Sequence, residues 1–342
     1  MPWPSNIDYQ EAFQTPTVCF EDAELKAGAV EKGPLGLPRP FAGNFASVYK
    51  VRFQNHSYAV RCFLREFSDQ QQRYQAITNH LRTANLACTV RFDFVARGIL
   101  VKGIWRPVLK MEWVEGNLLH HVIERSLAQP AMLSELARKW LELCRLLRAS
   151  GIAHGDLQHG NILIVNGQFK LIDYDGMYVP ALGRKSSHEV GHPNYQHPRR
   201  GSVHFGPYLD NFSAWVIYLS LFALSIDPAL WHTTEAGEEC LLFRQGDFAN
   251  PHTSRAFAAL EGHPYVSIRI LALTLRNLLQ LEPDRIPELD LQSTSTQIGN
   301  GGDGSAAWIQ DYVSPLPNST QPFAKKKSGR WFLSKRSLIQ SS

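Results

Sequence analysis

The stretch HGDLQHGNILIVNGQFKLIDYDG, residues 154–176, constrains this chain more than any other. NILIV and FKLID are short runs of apolar and β-branched residues. Asn166-Gly167 between them favours the positive φ angles of a two-residue hairpin turn. A hairpin returns the chain to where it began, so Asn161 before the first strand and Asp173 after the second converge. Asp156 lies five residues before Asn161 on the same loop. Amide and carboxylate oxygens grouped in this way suit Mg²⁺, and a carboxylate beside them can accept a proton. Asp175 reads as a solvated turn residue. His154 and His159 read as packed or hydrogen-bonded loop histidines rather than zinc ligands.

On either side of this stretch the chain changes character. Residues 1–40 carry prolines at 2, 4, 16, 34, 38 and 40 and read as an extended N-terminal arm with room for one short helix. FASVYKVRF and HSYAVRCFL flank the turn-like Gln54-Asn55-His56 and predict a hairpin. SDQQQRYQAITNHLRT predicts a helix capped by Ser68, with Tyr74, Ile77 and Leu81 on one buried stripe. CTVRFDFVARGILV and RPVLKMEWV predict further strands. After Gly116 the pattern is mainly helical: LLHHVIERSL, MLSELARKWLELCRLLRAS ending at Gly151, and then residues 212–290. The run FSAWVIYLSLFALSI, 212–226, is short for a membrane span and lies between Asp210 and Asp227, so it predicts a buried core helix. QSTSTQIGNGGDGS, 292–305, reads as a flexible linker.

The chain has 342 residues, enough for one large domain or two lobes. Its net charge of +4 is uneven. Lys325, Lys326, Lys327, Arg330, Lys335 and Arg336 fall in a tail without acids, interleaved with Trp331, Phe332 and Leu333. The remainder is mildly acidic, which argues against a nucleic-acid-binding domain. Such a tail is most simply a solvated end, and membrane-surface or partner docking is its other use. Cys19, Cys62, Cys88, Cys144 and Cys240 are widely spaced and odd in number, so they predict buried thiols in a reducing, cytoplasmic setting, not disulfides or structural zinc. The first residues lack the basic and apolar regions of a signal peptide.

HGDLQHGN resembles the protein-kinase catalytic loop HRDxxxxN, and LIDYDG stands in the place of the DFG segment. Other parts of that family follow in order. FAGNFASVYKV, 41–51, resembles the Gly-rich loop, with Gly43 retained and Phe41 and Ala46 at the other glycine positions. YAVRCF, 58–63, resembles the VAIK strand, with Arg61 at the lysine position. KMEWVEGN, 110–117, resembles the hinge. GHPNYQHPRR resembles the end of an activation segment, with Arg199 where glutamate is usual. Asp210 resembles the start of the central large-lobe helix, and LEPDRIP, 281–287, the closing DPxxRP segment.

The resemblance covers about residues 41–290 and implies a bilobal α+β kinase-like fold: a small antiparallel β lobe (41–113) with one main helix, and a larger, mainly helical lobe (114–290). Residues 291–342 would follow as linker and basic tail. It implies Asp156 as catalytic base and Asn161 and Asp173 as Mg²⁺ ligands. ATP would be contacted by Gly43, Val48, Ala59, Arg61, Met111 as gatekeeper, the Glu112 and Val114 backbone, and Asn117. The helix at 69–81 has no glutamate for Arg61, which leaves Gln71, Gln72 or Gln75 as hydrogen-bond candidates. Arg285 would face Arg199, so that corner needs a different arrangement.

Within the kinases, the AVRCF and LIDYDG segments are similar to an atypical bacterial serine/threonine group. That resemblance implies von Willebrand A-type and metal-dependent phosphatase partners. Gly155 replaces the HRD arginine, so activity independent of phosphorylation at Ser186 or Ser187 is expected. Two other readings stay open. A pseudokinase is favoured by Arg61, the missing helix glutamate and the depleted glycine loop. A small-molecule phosphotransferase of the aminoglycoside or choline kinase type shares HGDLxxGN but lacks a segment like GHPNYQHP.

Overall fold

A computed structural model of the chain describes residues 3–42, 46–66, 68–183 and 185–290. Gly43, the 292–305 stretch and the basic tail lie outside these residues.

The predicted hairpin forms as β3 (Ala46–Phe53) and β4 (His56–Phe63), and the two later strands as β5 (Phe92–Val101) and β6 (Ile104–Glu112). With β1 (Ala29–Val30) they build an antiparallel sheet in the order β1-β3-β4-β6-β5, and β2 (Pro40–Ala42) also pairs with β3. Val48 lies opposite Arg61, Ala59 opposite Met111, and Arg61 opposite Leu109. Because successive side chains alternate between faces, Val48, Ala59, Arg61 and Met111 share one face. The helix α4 (Gln70–Ala84) packs on the sheet through Tyr74, Ile77 and Leu81. Its cap position is Asp69, one residue later than Ser68. The Asp69 carboxylate is committed to Lys185 and His188 and does not cap the helix.

The opposite face of the sheet is also covered, and here the expectation of an extended arm is wrong. Residues 5–28 fold into α1 (Asn6–Ala12), α2 (Pro16–Cys19) and α3 (Ala23–Ala27). Their Tyr9, Phe13, Cys19, Phe20 and Leu25 form a second core with Tyr49, Val51, Val60, Cys62, Ile99, Val101 and Val108. Phe13 stacks on Tyr49 at 3.9 Å between ring centroids, and the Tyr9 hydroxyl donates to the Phe63 carbonyl at 2.7 Å. The prolines misled because Pro16 occupies the first turn of a helix, where its missing N–H costs nothing.

Beyond the short strand β7 (Asn117–Leu118), α5 (Leu119–Arg125) and α6 (Pro130–Ala149) lead to the second predicted hairpin, β8 (Ile162–Val165) and β9 (Gln168–Leu171). Asn166 and Gly167 at its turn have φ of 49° and 71°, as the two-residue turn requires. The apolar run becomes α7 (Asn211–Ile226), buried on nearly all sides. Around it lie α8 (Leu230–Thr233), α9 (Gln245–Ala249), α10 (Arg255–Glu261) and α11 (Val266–Leu278). Trp140 of α6 donates to the Ala214 carbonyl of α7 at 3.0 Å. One continuous core runs from Tyr74 and Met111 through Trp140 and Trp215 to Leu275. The result is the two-lobed α+β fold expected, with the β8–β9 hairpin packed against α6. Among the described residues no helix is long and apolar enough to cross a membrane.

Candidate functional site

Two half-buried carboxylates organise the loop before β8. Asp210, at the start of α7, accepts the backbone N–H groups of His154 and Gly155, at 2.5 and 2.8 Å. His154 donates from Nε2 to the Ile172 carbonyl at 3.0 Å, so the end of β9 is tied to the loop through one imidazole. Gly155 has φ of +82°, and the Gly176 carbonyl occupies the place of a Cβ. The second carboxylate, Asp156, is gripped from two sides. Asn161 Nδ2 donates to its Oδ2 at 2.8 Å, and the His192 backbone N–H donates to its Oδ1 at 2.7 Å. Gly191 allows the second contact: with φ of +82°, its missing Cβ would stand 2.9 Å from Asp156 Oδ1. Burial pushes the Asp156 carboxyl above its ordinary range.

Asn161 sits in a short 3-10 turn, His159–Asn161, and its carbonyl accepts from Ile172 N–H at 3.0 Å. That bond draws Asp173 toward the same loop. Asp173 adopts φ of +65°, and its Oδ1 is buried without a hydrogen-bond partner. This carboxylate oxygen, 3.4 Å from Arg61 Nη2, and the amide oxygen of Asn161 are oxygen donors of the type Mg²⁺ takes. His159 is used otherwise: its ring nitrogens meet the Tyr195 hydroxyl at 2.5 Å and the Glu238 carbonyl at 2.7 Å. No group of side chains able to hold a metal through three His, Cys, Asp or Glu ligands occurs among the described residues.

Arg61 is 5% exposed, and its partners differ from the expectation. Asp175, read from sequence as solvated, turns inward with its side chain 12% exposed and pairs with Arg61 Nη2; it also accepts the hydroxyl of Tyr74 from α4. Asp173 Oδ1 lies 3.4 Å from the same nitrogen. Gln71, Gln72 and Gln75 face solvent instead. Burial opposes the Arg61 charge, but Asp175 and Asp173 outweigh it and drive its pKa up. Burial lifts the Asp175 carboxyl to about 6 against the pull of Arg61. Glu189, which the sequence did not single out, lies half-buried near these acids, and desolvation with their repulsion lifts it to about 8.

The hinge residues form a separate set. Met111 is buried opposite Ala59. Glu112 donates its N–H to the Arg91 carbonyl at 3.0 Å, so only its own carbonyl is left to a ligand. Val114 is half-buried, and Asn117 is exposed with its Oδ1 3.3 Å from Arg125. Phe41, at a glycine position of the loop, packs on Trp113 of the hinge at 5.1 Å.

The Arg199 corner is also resolved differently. Its guanidinium pairs with Glu282 at 2.9 Å, while Arg285 is exposed. Acid and base have exchanged places between the two segments. Arg200, beside it, is buried and donates to the Gly155 carbonyl at 2.8 Å.

The protein kinase domain family model matches residues 42–245. Calcium-dependent protein kinase 3 of Oryza sativa subsp. japonica is 31% identical over 135 residues, which are 38% of this chain and 24% of that protein. Serine/threonine-protein kinase STE20 of Debaryomyces hansenii is 22% identical over 183 residues, 52% of this chain and 17% of that one. The chain thus spans a quarter or less of the length of these relatives. The Cydia pomonella granulovirus kinase PK-1 superposes with a TM-score of 0.43 at 15% identity, covering 59% of this chain and 72% of that structure.

Proposed function

The chain belongs to the protein kinase domain family, and on that premise we propose that it is an ATP- and Mg²⁺-dependent protein serine/threonine kinase of the atypical bacterial type. One observation carries the reading. Asp156 is held by Asn161 on the catalytic-loop side and by the His192 N–H on the activation-segment side. A carboxylate fixed in this way can orient an acceptor hydroxyl and take its proton, which is most of what the protein must do in phosphoryl transfer. Its pKa, raised by burial, makes it a better base than a solvated aspartate.

Asn161 and Asp173 would hold Mg²⁺, which when bound neutralises charge on the phosphates. Arg61 would donate to the α/β-phosphates. Val48, Ala59, Met111, the Glu112 carbonyl, Val114 and Asn117 would receive the rest of ATP, with Gly43 in the covering loop. The resemblance of the AVRCF and LIDYDG segments supports the bacterial assignment and von Willebrand A-type and phosphatase partners, and the mostly buried, unpaired cysteines support a reducing, cytoplasmic setting.

Gly191, His192 and Tyr195 lie on the acceptor side, and this favours a peptide hydroxyl over a small amino alcohol. The test is Mg²⁺-dependent ATP turnover and transfer to protein and to amino-alcohol acceptors, comparing wild type with Asp156→Ala and Asp173→Ala. Transfer to protein that both substitutions abolish supports the proposal. Equal turnover by all three proteins rejects it. Transfer to amino alcohols alone would make the chain a small-molecule phosphotransferase, and ATP binding without transfer a pseudokinase.

A further inference from the structure

The Arg61 guanidinium divides its two terminal nitrogens unequally. Nη2 is taken by Asp175 and lies near Asp173, whereas Nη1 is buried with no hydrogen-bond partner. A buried donor on a charged group is costly unless something accepts from it. Asp175 is itself fixed, by the Tyr74 hydroxyl of α4. We propose that Asp175, steadied by Tyr74, is the positioning residue for Arg61: it replaces the missing helix carboxylate and leaves Nη1 to bind a phosphate oxygen of the nucleotide.

This accounts for three departures from the kinase pattern at once. Arginine fits the lysine position because its planar fork lets one nitrogen be held by Asp175 while the other, about 2 Å away, points to a ligand. An aspartate stands where the DFG glycine is usual because the holding charge now comes from that segment. The helix needs no glutamate because its contribution is a hydroxyl that orients the acid.

The inference rests on the kinase reading, and the closing experiment separates their failures. Affinity for Mg²⁺-ATP would be measured by calorimetry on the full chain, with melting temperatures as a folding control. Asp175→Asn should weaken ATP binding about tenfold or more, because Arg61 loses the carboxylate that holds Nη2 and keeps only the longer contact to Asp173. Tyr74→Phe, which keeps the charge pair, should weaken it several-fold less. Arg61→Lys, although it installs the family's residue, should also weaken binding. Placing the acid on the helix, Tyr74→Glu with Asp175→Asn, should recover part of the loss; a merely structural Asp175 would show no such rescue. If the wild type binds ATP and Asp175→Asn binds it equally well, or if Arg61→Lys binds it more tightly, this inference alone is overturned. If the wild type binds no ATP, the kinase reading falls and the inference with it.

Discussion

The Gly176 carbonyl lies where a Cβ on residue 155 would have to sit, so the position that holds arginine in the kinase motif can hold only glycine here. Positive φ adds to the restriction. Restoring the motif by Gly155→Arg is therefore expected to damage the loop, and Gly155→Ala should do nearly as much. Each should cost about 3 kcal/mol or more through strain and overpacking. Chemical denaturation checks this: a stability change under 1 kcal/mol for the alanine variant, on the order of a surface substitution, would show that the close approach is not real.

Without that arginine, the activation segment is anchored by other charges. Asp69 before α4 collects Lys185 at 3.1 Å and His188 at 2.8 Å, and Arg73 donates to the Ser186 carbonyl at 2.9 Å. Ser187 is buried, and its hydroxyl is spent on the Glu189 carbonyl. The segment is thus docked by unmodified side chains. Replacing Ser186 and Ser187 together with alanine should leave ATP turnover within about threefold of wild type, and Asp69→Ala should lower it by about tenfold. Loss of activity in the serine variant that a phosphate-mimicking acid restores would contradict this account.

Much of this architecture was legible. Asn166-Gly167 fixed a hairpin, the hairpin fixed where Asn161 and Asp173 meet, and the all-round apolar run of α7 read as interior. The failures share a cause. Arg61 and Asp175 are 114 residues apart, and nothing local in YDG says that its second acid turns inward. Glu282 is likewise 83 residues from Arg199. One overlooked signal was local. AVRCF is apolar on both strand faces, at Ala59 and Phe63 and at Val60 and Cys62, which implies that something covers the second face. The residues doing so, Tyr9, Phe13, Phe20 and Leu25, lie in a proline-bearing segment that reads as an arm, because proline breaks helix interiors yet starts helices at their first turn.

That cover should be a large part of the small lobe's stability. Tyr9 and Phe13 are buried to within 1% of complete. Phe13→Ala removes a ring stacked on Tyr49, and Tyr9→Ala also breaks its bond to Phe63. Each is expected to cost about 3–5 kcal/mol. Thermal melts of both variants decide the matter, and unchanged melting temperatures would mean that the helices sit loosely on the sheet.

At the exchanged ion pair, the exposed charges should matter less than the backbone. Arg199 and Glu282 are both about half exposed, so their attraction is worth no more than about 0.5 kcal/mol. Arg199 also donates to the Leu279 and Leu281 carbonyls, bonds worth about 1 kcal/mol each. Arg199→Ala should therefore destabilise clearly more than Glu282→Ala. Equal effects in denaturant titrations would mean that the charge pair, not the carbonyl contacts, ties the two segments.

Glu189 gives the protein a pH dependence of definite sign. Burial comes first among the causes, then repulsion from Asp175, Asp173 and Asp156; Arg61 works the other way, and Arg65 lies 3.8 Å away. The folded chain keeps this proton up to about pH 8, whereas an unfolded one releases it near 4.5. Between those values the native state binds more protons than the unfolded state, so the group's contribution falls as pH rises. Glu189→Gln removes the ionisation. It should leave stability nearly unchanged at pH 4.5, where both forms are neutral in the fold, and raise it by up to about 5 kcal/mol at pH 9. Denaturation of both proteins across that range checks it: a constant difference at every pH would mean that Glu189 is ionised in the native state, held so by Arg61 and Arg65.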